Sequence, residues 1–112
     1  MIGVDVDQSS VSPTIITSAE KKLSLSVKQA LEAFYKNNLK WDDTRAGKTA
    51  ILGTKEDCVG LPTNTSSWRM TKFSIEEYLA LYEKVKKGEL VVSNKTDVKP
   101  AVSNRVVVNW EA

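Results

Sequence analysis

Residues 2–10 read Ile-Gly-Val-Asp-Val-Asp-Gln-Ser-Ser, and the reading of this stretch decides the fold. Ile2, Gly3 and Val4 form a short apolar run suited to a buried strand, and the run stops at two acids, Asp5 and Asp7. In open α/β sheets, ligands collect at the carboxyl ends of the strands. A carboxylate placed there can accept hydrogen bonds from two neighbouring hydroxyls, as on a sugar. Asp is equally a residue that ends a strand and begins a turn, and residue type alone favours that plainer reading.

The rest of the chain supplies the context. Thr14-Ile15-Ile16-Thr17 follows Pro13, is β-branched throughout and predicts a strand. The spacing of Val27, Ala30, Leu31 and Phe34 predicts a helix over 21–37 with those residues on its buried face. Trp41 is expected to anchor the following connection into the core. Thr49 to Gly53 reads as another buried strand, and Val59 to Leu61 as a short one. A second helix is marked by the capping box of Ser74 and Glu77, by a staple of Phe73 on Tyr78, and by Gly88 just past its end. Ile75, Tyr78, Leu79, Tyr82 and Val85 form its apolar face. Val91-Val92 and the stretch 105–110 complete the expected strands, with a polar, flexible segment over 93–104 between them. Strands interleaved with helices give an α/β class and a single domain over residues 1–112.

Composition narrows the function. The chain has no histidine, so Ser-His and Cys-His dyads and the commonest metal ligand are excluded. The lone Cys58 excludes an intramolecular disulfide and reads as a small buried hydrophobe. Sixteen Lys and Arg against 14 Asp and Glu, interspersed, give no basic face for nucleic acid. No cofactor motif is present. Gly53 to Leu61 holds two glycines, yet it lacks both the Lys-Ser/Thr ending of a phosphate loop and a dinucleotide fingerprint. Lys21 is the second candidate site residue. It falls at the expected start of a helix, where cations are disfavoured, and reads either as a lysine aimed into a cleft or as a solvated one.

Four stretches in order, GVDVDQ (3–8), IITSAEKKLSLSVKQAL (15–31), LGTKEDCVGL (52–61) and VKKGELVV (85–92), together resemble the C-terminal part of the basic membrane protein family. These are substrate-binding lipoproteins of ABC importers and include purine nucleoside receptors. The resemblance implies part of one lobe of a type I periplasmic-binding, Rossmann-like fold, with a mostly parallel sheet flanked by helices. It implies that Asp5 accepts from ribose hydroxyls, that Lys21 contacts ligand, and that Asp7 and Gln8 shape the loop. It implies no catalysis, a nucleoside ligand, an ABC permease and a second lobe as partners, and the extracellular face of the cell membrane for the parent lipoprotein. Two departures stand out. The family's double glycine is Asp57-Cys58 here, which is expected to restrict left-handed dihedrals at that turn, and residues 64–72 have no counterpart. The resemblance further implies that Met1 stands directly before a strand that lies inside a longer, two-lobed protein, so that this chain is a piece of it, expected to bind nucleosides weakly by itself and to self-associate. The alternative is a self-sufficient interaction or regulatory module with no transport role.

Overall fold

The computed structural model describes residues 1–93, 95, 97–102, 107 and 108. It is a small α/β assembly. Strand β1 (Ile2–Asp5) pairs in parallel with β2 (Thr17–Lys21), and β2 pairs antiparallel with the two-residue β3 (Val59–Gly60). Helix α1 (Leu23–Lys36) follows β2, and α2 (Ile75–Lys86) follows β3. The sheet is therefore mixed, with its longer ladder parallel.

The β-branched stretch 14–17 is not the second strand; β2 begins where it ends. Pro13 has no N–H to give a ladder. The Ser12 side chain and carbonyl instead take the N–H groups of Thr14 and Ile15, which closes a turn. Thr-Ser-Ala-Glu-Lys has weaker strand preference, and its register against β1 holds it extended. The ladder matches Ile2 with Thr17 and Asp5 with Glu20. Extending β2 through Lys21 moves the start of α1 to Leu23. The Lys22 N–H donates to the Cys58 carbonyl at 2.8 Å, so residue 22 belongs to the sheet edge and gives α1 no side-chain cap.

Thr49 to Gly53 is also not a strand, and Ile51 is 87% exposed. Gly53 turns the chain instead. Its N–H donates to the Glu56 carboxylate and its carbonyl accepts from Cys58 N–H, leaving neither for a ladder. Val91 and Val92 are exposed and unpaired in any strand. Of the strand expected over 105–110, residues 105, 106, 109 and 110 lie outside the described residues, and Val107 and Val108 belong to no strand. Residues 94, 96, 103 and 104 of the segment expected to be flexible also lie outside the described residues.

α2 is closed at both ends by local chemistry. The Ser74 hydroxyl accepts from Glu77 N–H and the Glu77 carboxylate accepts from Ser74 N–H. At the other end Gly88, with φ of 77°, donates to the Val85 carbonyl while Glu89 donates to Lys84, the paired bonds of a Schellman cap. The staple is indirect. Trp68 lies between Phe73 and Tyr78, with ring centroids 6.1 and 5.6 Å away, and its indole N–H donates to the Phe73 carbonyl.

Both helices are tied to the 56–61 segment. Gln29 of α1 donates to the Glu56 carbonyl. Tyr78 of α2 accepts from Leu61 N–H, and Tyr82 donates to the Val59 carbonyl. Between the sheet face bearing Val4 and Ala19 and the α2 face bearing Leu81 and Val85 lies an open apolar cavity of about 410 Å³. Among the described residues the buried apolar side chains of the core are Ile15 and Cys58. The expected helix faces are only half covered: Ala30 and Phe34 are half-buried, but Val27, Leu31 and Leu79 are exposed. Trp41 packs against Phe34 with the rings tilted and their centroids 4.8 Å apart, and is half exposed, so it anchors to α1 and not to a core. The radius of gyration is 17.2 Å, well above the roughly 13 Å of a packed domain of this length.

The Tyr82 hydroxyl reports on this packing. Burial first, and then the Asp57 carboxylate, push its pKa up from 10.0 to about 12. A raised folded-state value means that the contribution is complete below the unfolded value and is lost as pH rises through the folded one. Stability is therefore expected to fall between pH 10.0 and about 12. Denaturant titrations followed by circular dichroism across that window check it. Tyr82→Phe should flatten the fall, and an unchanged slope in that variant would contradict it.

Candidate functional site

The strands β1 and β2 run in parallel and end side by side, so their last residues share one edge of the sheet. Asp5 closes β1 and Lys21 closes β2, and Lys21 Nζ lies 2.8 Å from Asp5 Oδ1. The two candidate residues, sixteen positions apart in sequence, thus meet as an ion pair. Both side chains are mostly solvent-accessible, so the pair contributes little to stability. Asp5 itself is strained. Its φ is 75°, and the Val6 N–H donates back to the Val4 carbonyl across it at 3.0 Å. This is the γ-turn of positive φ, a rare conformation for a residue with a side chain.

The loop that follows is fastened on three sides. Gln8 Oε1 accepts from the Val4 N–H on the outer edge of β1, in place of a neighbouring strand. The Gln8 N–H donates to the Ser18 hydroxyl, which is fully buried under the sheet. Gly3 lies between these two side chains: a Cβ there would stand 2.5 Å from Ser18 Oγ and 2.7 Å from Gln8 Oε1. Asp7 accepts from Ser9 N–H and from the Ser67 hydroxyl, and Ser67 in turn accepts from Ser9 Oγ. These bonds, Ser67's first, hold the Asp7 carboxyl below the usual carboxylate range. Asp7 and Gln8 therefore hold the loop in shape while Asp5 faces outward.

Residues 64–72, opaque in the sequence, supply the third fastening. The Arg69 guanidinium donates from Nη1 to the carbonyls of Ser12 and Ile15, each at 2.8 Å, and from Nη2 to that of Ser9 at 2.9 Å. Its planar fork can reach three carbonyls at once, which an ammonium cannot. The available clue was a single cation between Trp68 and Met70, because a charge flanked by large apolar residues needs partners.

The turn at Asp57 corrects another expectation. Asp57 adopts φ of 58° although it has a side chain. Asp tolerates this region better than most residues, and its carboxylate is held by Lys86 Nζ at 2.6 Å and by the Tyr82 hydroxyl at 3.4 Å. The Lys86 hydrogen bond draws the Asp57 carboxyl down and raises the Lys86 ammonium. Cys58 beside it is buried, as expected, with Sγ 3.5 Å from Gln29 Oε1.

The Asp5–Lys21 edge offers one strong acceptor and one strong donor to a polar ligand. Among the described residues no cluster of His, Cys, Asp or Glu has the arrangement of a metal site. No helix among them is long and apolar enough to cross a membrane.

The chain is similar to Basic membrane protein A of Borreliella burgdorferi, with 37% identity over 98 residues. The match takes in 85% of this chain and 27% of that protein, so the chain spans about a quarter of the length of its curated relative. No protein family's sequence model matches the chain, and no solved structure matches it.

Proposed function

We propose that this chain forms one wall of the ligand cleft of a solute-binding protein of the basic membrane protein family, and that the ligand is a nucleoside. Asp5 accepts from the ribose hydroxyls and Lys21 donates to the same ligand. The protein binds and releases without catalysis. It works at the outer face of the cell membrane as a lipoprotein that delivers its ligand to an ABC permease. One observation carries the reading. The strained Asp5 and its partner Lys21 converge at the carboxyl ends of adjacent parallel strands, where α/β sheets bind ligands, in a chain similar to Basic membrane protein A.

One wall buries only a small part of a nucleoside, whereas full sites enclose most of their ligand. Binding by this chain alone is therefore expected to be millimolar or weaker. Amide shift perturbation by adenosine, guanosine and inosine checks it. The expected result is a response centred on Asp5 and Lys21 that disappears in Asp5→Asn and with 2′,3′-dideoxy analogues. Stability should stay within about 0.5 kcal/mol in that variant because the ion pair is exposed. If no ribonucleoside perturbs Asp5 or Lys21, the nucleoside assignment fails.

A further inference from the structure

We propose that Ser18 and Gln8 are positioning residues of the ligand edge: together they hold Asp5 in the left-handed conformation that sets its carboxylate beside Lys21. This deepens the ligand reading above and rests on it. Neither side chain stands at the edge itself. Ser18 is fully buried and Gln8 is half-buried.

Asp5 needs holding. With φ of 75° it sits in a γ-turn that residues with a side chain rarely adopt. The turn is tied through Val4. The Val4 carbonyl accepts from Val6 N–H at 3.0 Å, and the Val4 N–H donates to Gln8 Oε1 at 3.1 Å. Both backbone groups of the residue before Asp5 are therefore taken by the three residues that follow it. The Gln8 N–H then donates to Ser18 Oγ at 3.0 Å, which anchors the loop to the neighbouring strand.

That strand is the one that carries Lys21. Ser18 stands three residues before Lys21 on β2, opposite Gly3 of β1. One buried hydrogen bond thus ties the loop that turns Asp5 to the strand that ends in Lys21, and it fixes the two ligand groups relative to each other. The Asp5–Lys21 ion pair does not supply this order, because both of its side chains are mostly solvent-accessible. Glycine at residue 3 leaves room for the anchor, since a Cβ there would stand 2.5 Å from Ser18 Oγ and 2.7 Å from Gln8 Oε1. Without the anchor, the loop drifts to the conformations that Asp ordinarily prefers. Only the remaining fraction of molecules then presents the carboxylate, and apparent affinity falls by that fraction.

Nuclear magnetic resonance of the full chain tests the proposal with two readouts on the folded resonances. A strong NOE between the amide and α protons of Asp5 reports its positive φ. The initial slope of the Asp5 and Lys21 amide shifts against adenosine, guanosine or inosine concentration reports affinity without saturation. Ser18→Ala removes the acceptor of the anchor, and Gln8→Met removes the acceptor of the Val4 N–H. Each should weaken the NOE and lower the slope roughly tenfold. Gln8→Glu keeps an acceptor oxygen and should retain both signals. Ser67→Ala is the control for a merely structural role. It releases Asp7 in the same loop, so it should lower the melting temperature and leave both readouts unchanged. Gln8→Met remains readable if Ser18→Ala does not fold. A persistent positive φ or an unchanged slope in the two anchor variants overturns the proposal. So does a Ser67→Ala protein that loses as much slope as they do. If none of the three nucleosides shifts Asp5 or Lys21 in the parent, the ligand reading fails, and the NOE still decides whether Ser18 and Gln8 set the backbone of Asp5.

Discussion

Replacing Arg69 by Met is expected to cost on the order of 3 kcal/mol of stability, the largest effect of any single side chain described here. Three carbonyls of the loop after β1 accept from this one guanidinium. A bond from a charged donor is worth more than a neutral one, and the stranded acceptors add a desolvation penalty. Met keeps the unbranched apolar stem but not the guanidinium, so the loss reports the three hydrogen bonds together with the space the guanidinium fills. Arg69→Lys keeps the charge but has one nitrogen to cover acceptors reached by two, and should recover less than about half of the loss. Urea titration followed by circular dichroism measures all three proteins. Among the described residues few apolar side chains are buried, so the variant should be largely unfolded at room temperature. An Arg69→Met protein as stable as the parent would remove the clamp from the account.

The second large effect is expected at Gly3. Placing alanine in a strand ordinarily gains about 0.5–1 kcal/mol by restricting the unfolded chain. Here the sign reverses. The new methyl would stand 2.5 Å from Ser18 Oγ and 2.7 Å from Gln8 Oε1. Ser18 is fully buried and its hydroxyl is engaged by the Gln8 N–H, so it cannot swing aside. Gln8 can move only by giving up the Val4 N–H. Overpacking of this kind costs roughly 1–3 kcal/mol, which exceeds the backbone gain, so Gly3→Ala should destabilise by about 2 kcal/mol. Gly53 is the control. Its Cβ would meet nothing nearer than Glu56 Oε2 at 3.9 Å, and Gly53→Ala should stay within about 0.5 kcal/mol of the parent. Thermal melts of the two variants separate the cases. Equal behaviour would mean that β1 and the Gln8 loop are not held as closely as described.

What could be read from the chain without coordinates follows the range of the interactions. α2 was legible because its signals are local: Ser74, Glu77 and Gly88 each act within one turn of the backbone. β1 was legible from its apolar run, which ends at Asp5. β2 was displaced by a few residues because Thr14 to Thr17 has the better strand preference, while Thr17 to Lys21 has the better partner. The stretch 49–53 failed for the same reason in reverse: it has the composition of a strand and, among the described residues, no neighbour to pair with. The meeting of Asp5 with Lys21 depends on parallel register, which neither residue encodes. Asp57 was expected to resist a left-handed conformation, and Lys86, 29 positions away, helps to hold it there. Arg69 was invisible because its partners are backbone carbonyls, which have no sequence signature.

The Asp57–Lys86 contact has a further consequence for how the molecule opens. It closes the chain from the turn at 57 to the end of α2 into a loop pinned within itself. Tyr82 on Val59 and Tyr78 on Leu61 add to the pinning. The described bonds join this unit to the rest through the two-residue ladder of β3 with the Lys22–Cys58 bond that continues it, through the contact of Cys58 with Gln29 of α1, and through the Ser67–Arg69 group at the loop after β1. Residues 57–90 therefore form a cooperative unit that can detach as a whole while β1 and β2 stay paired. Amide protons of α2 would then exchange together, at a free energy below that of global unfolding.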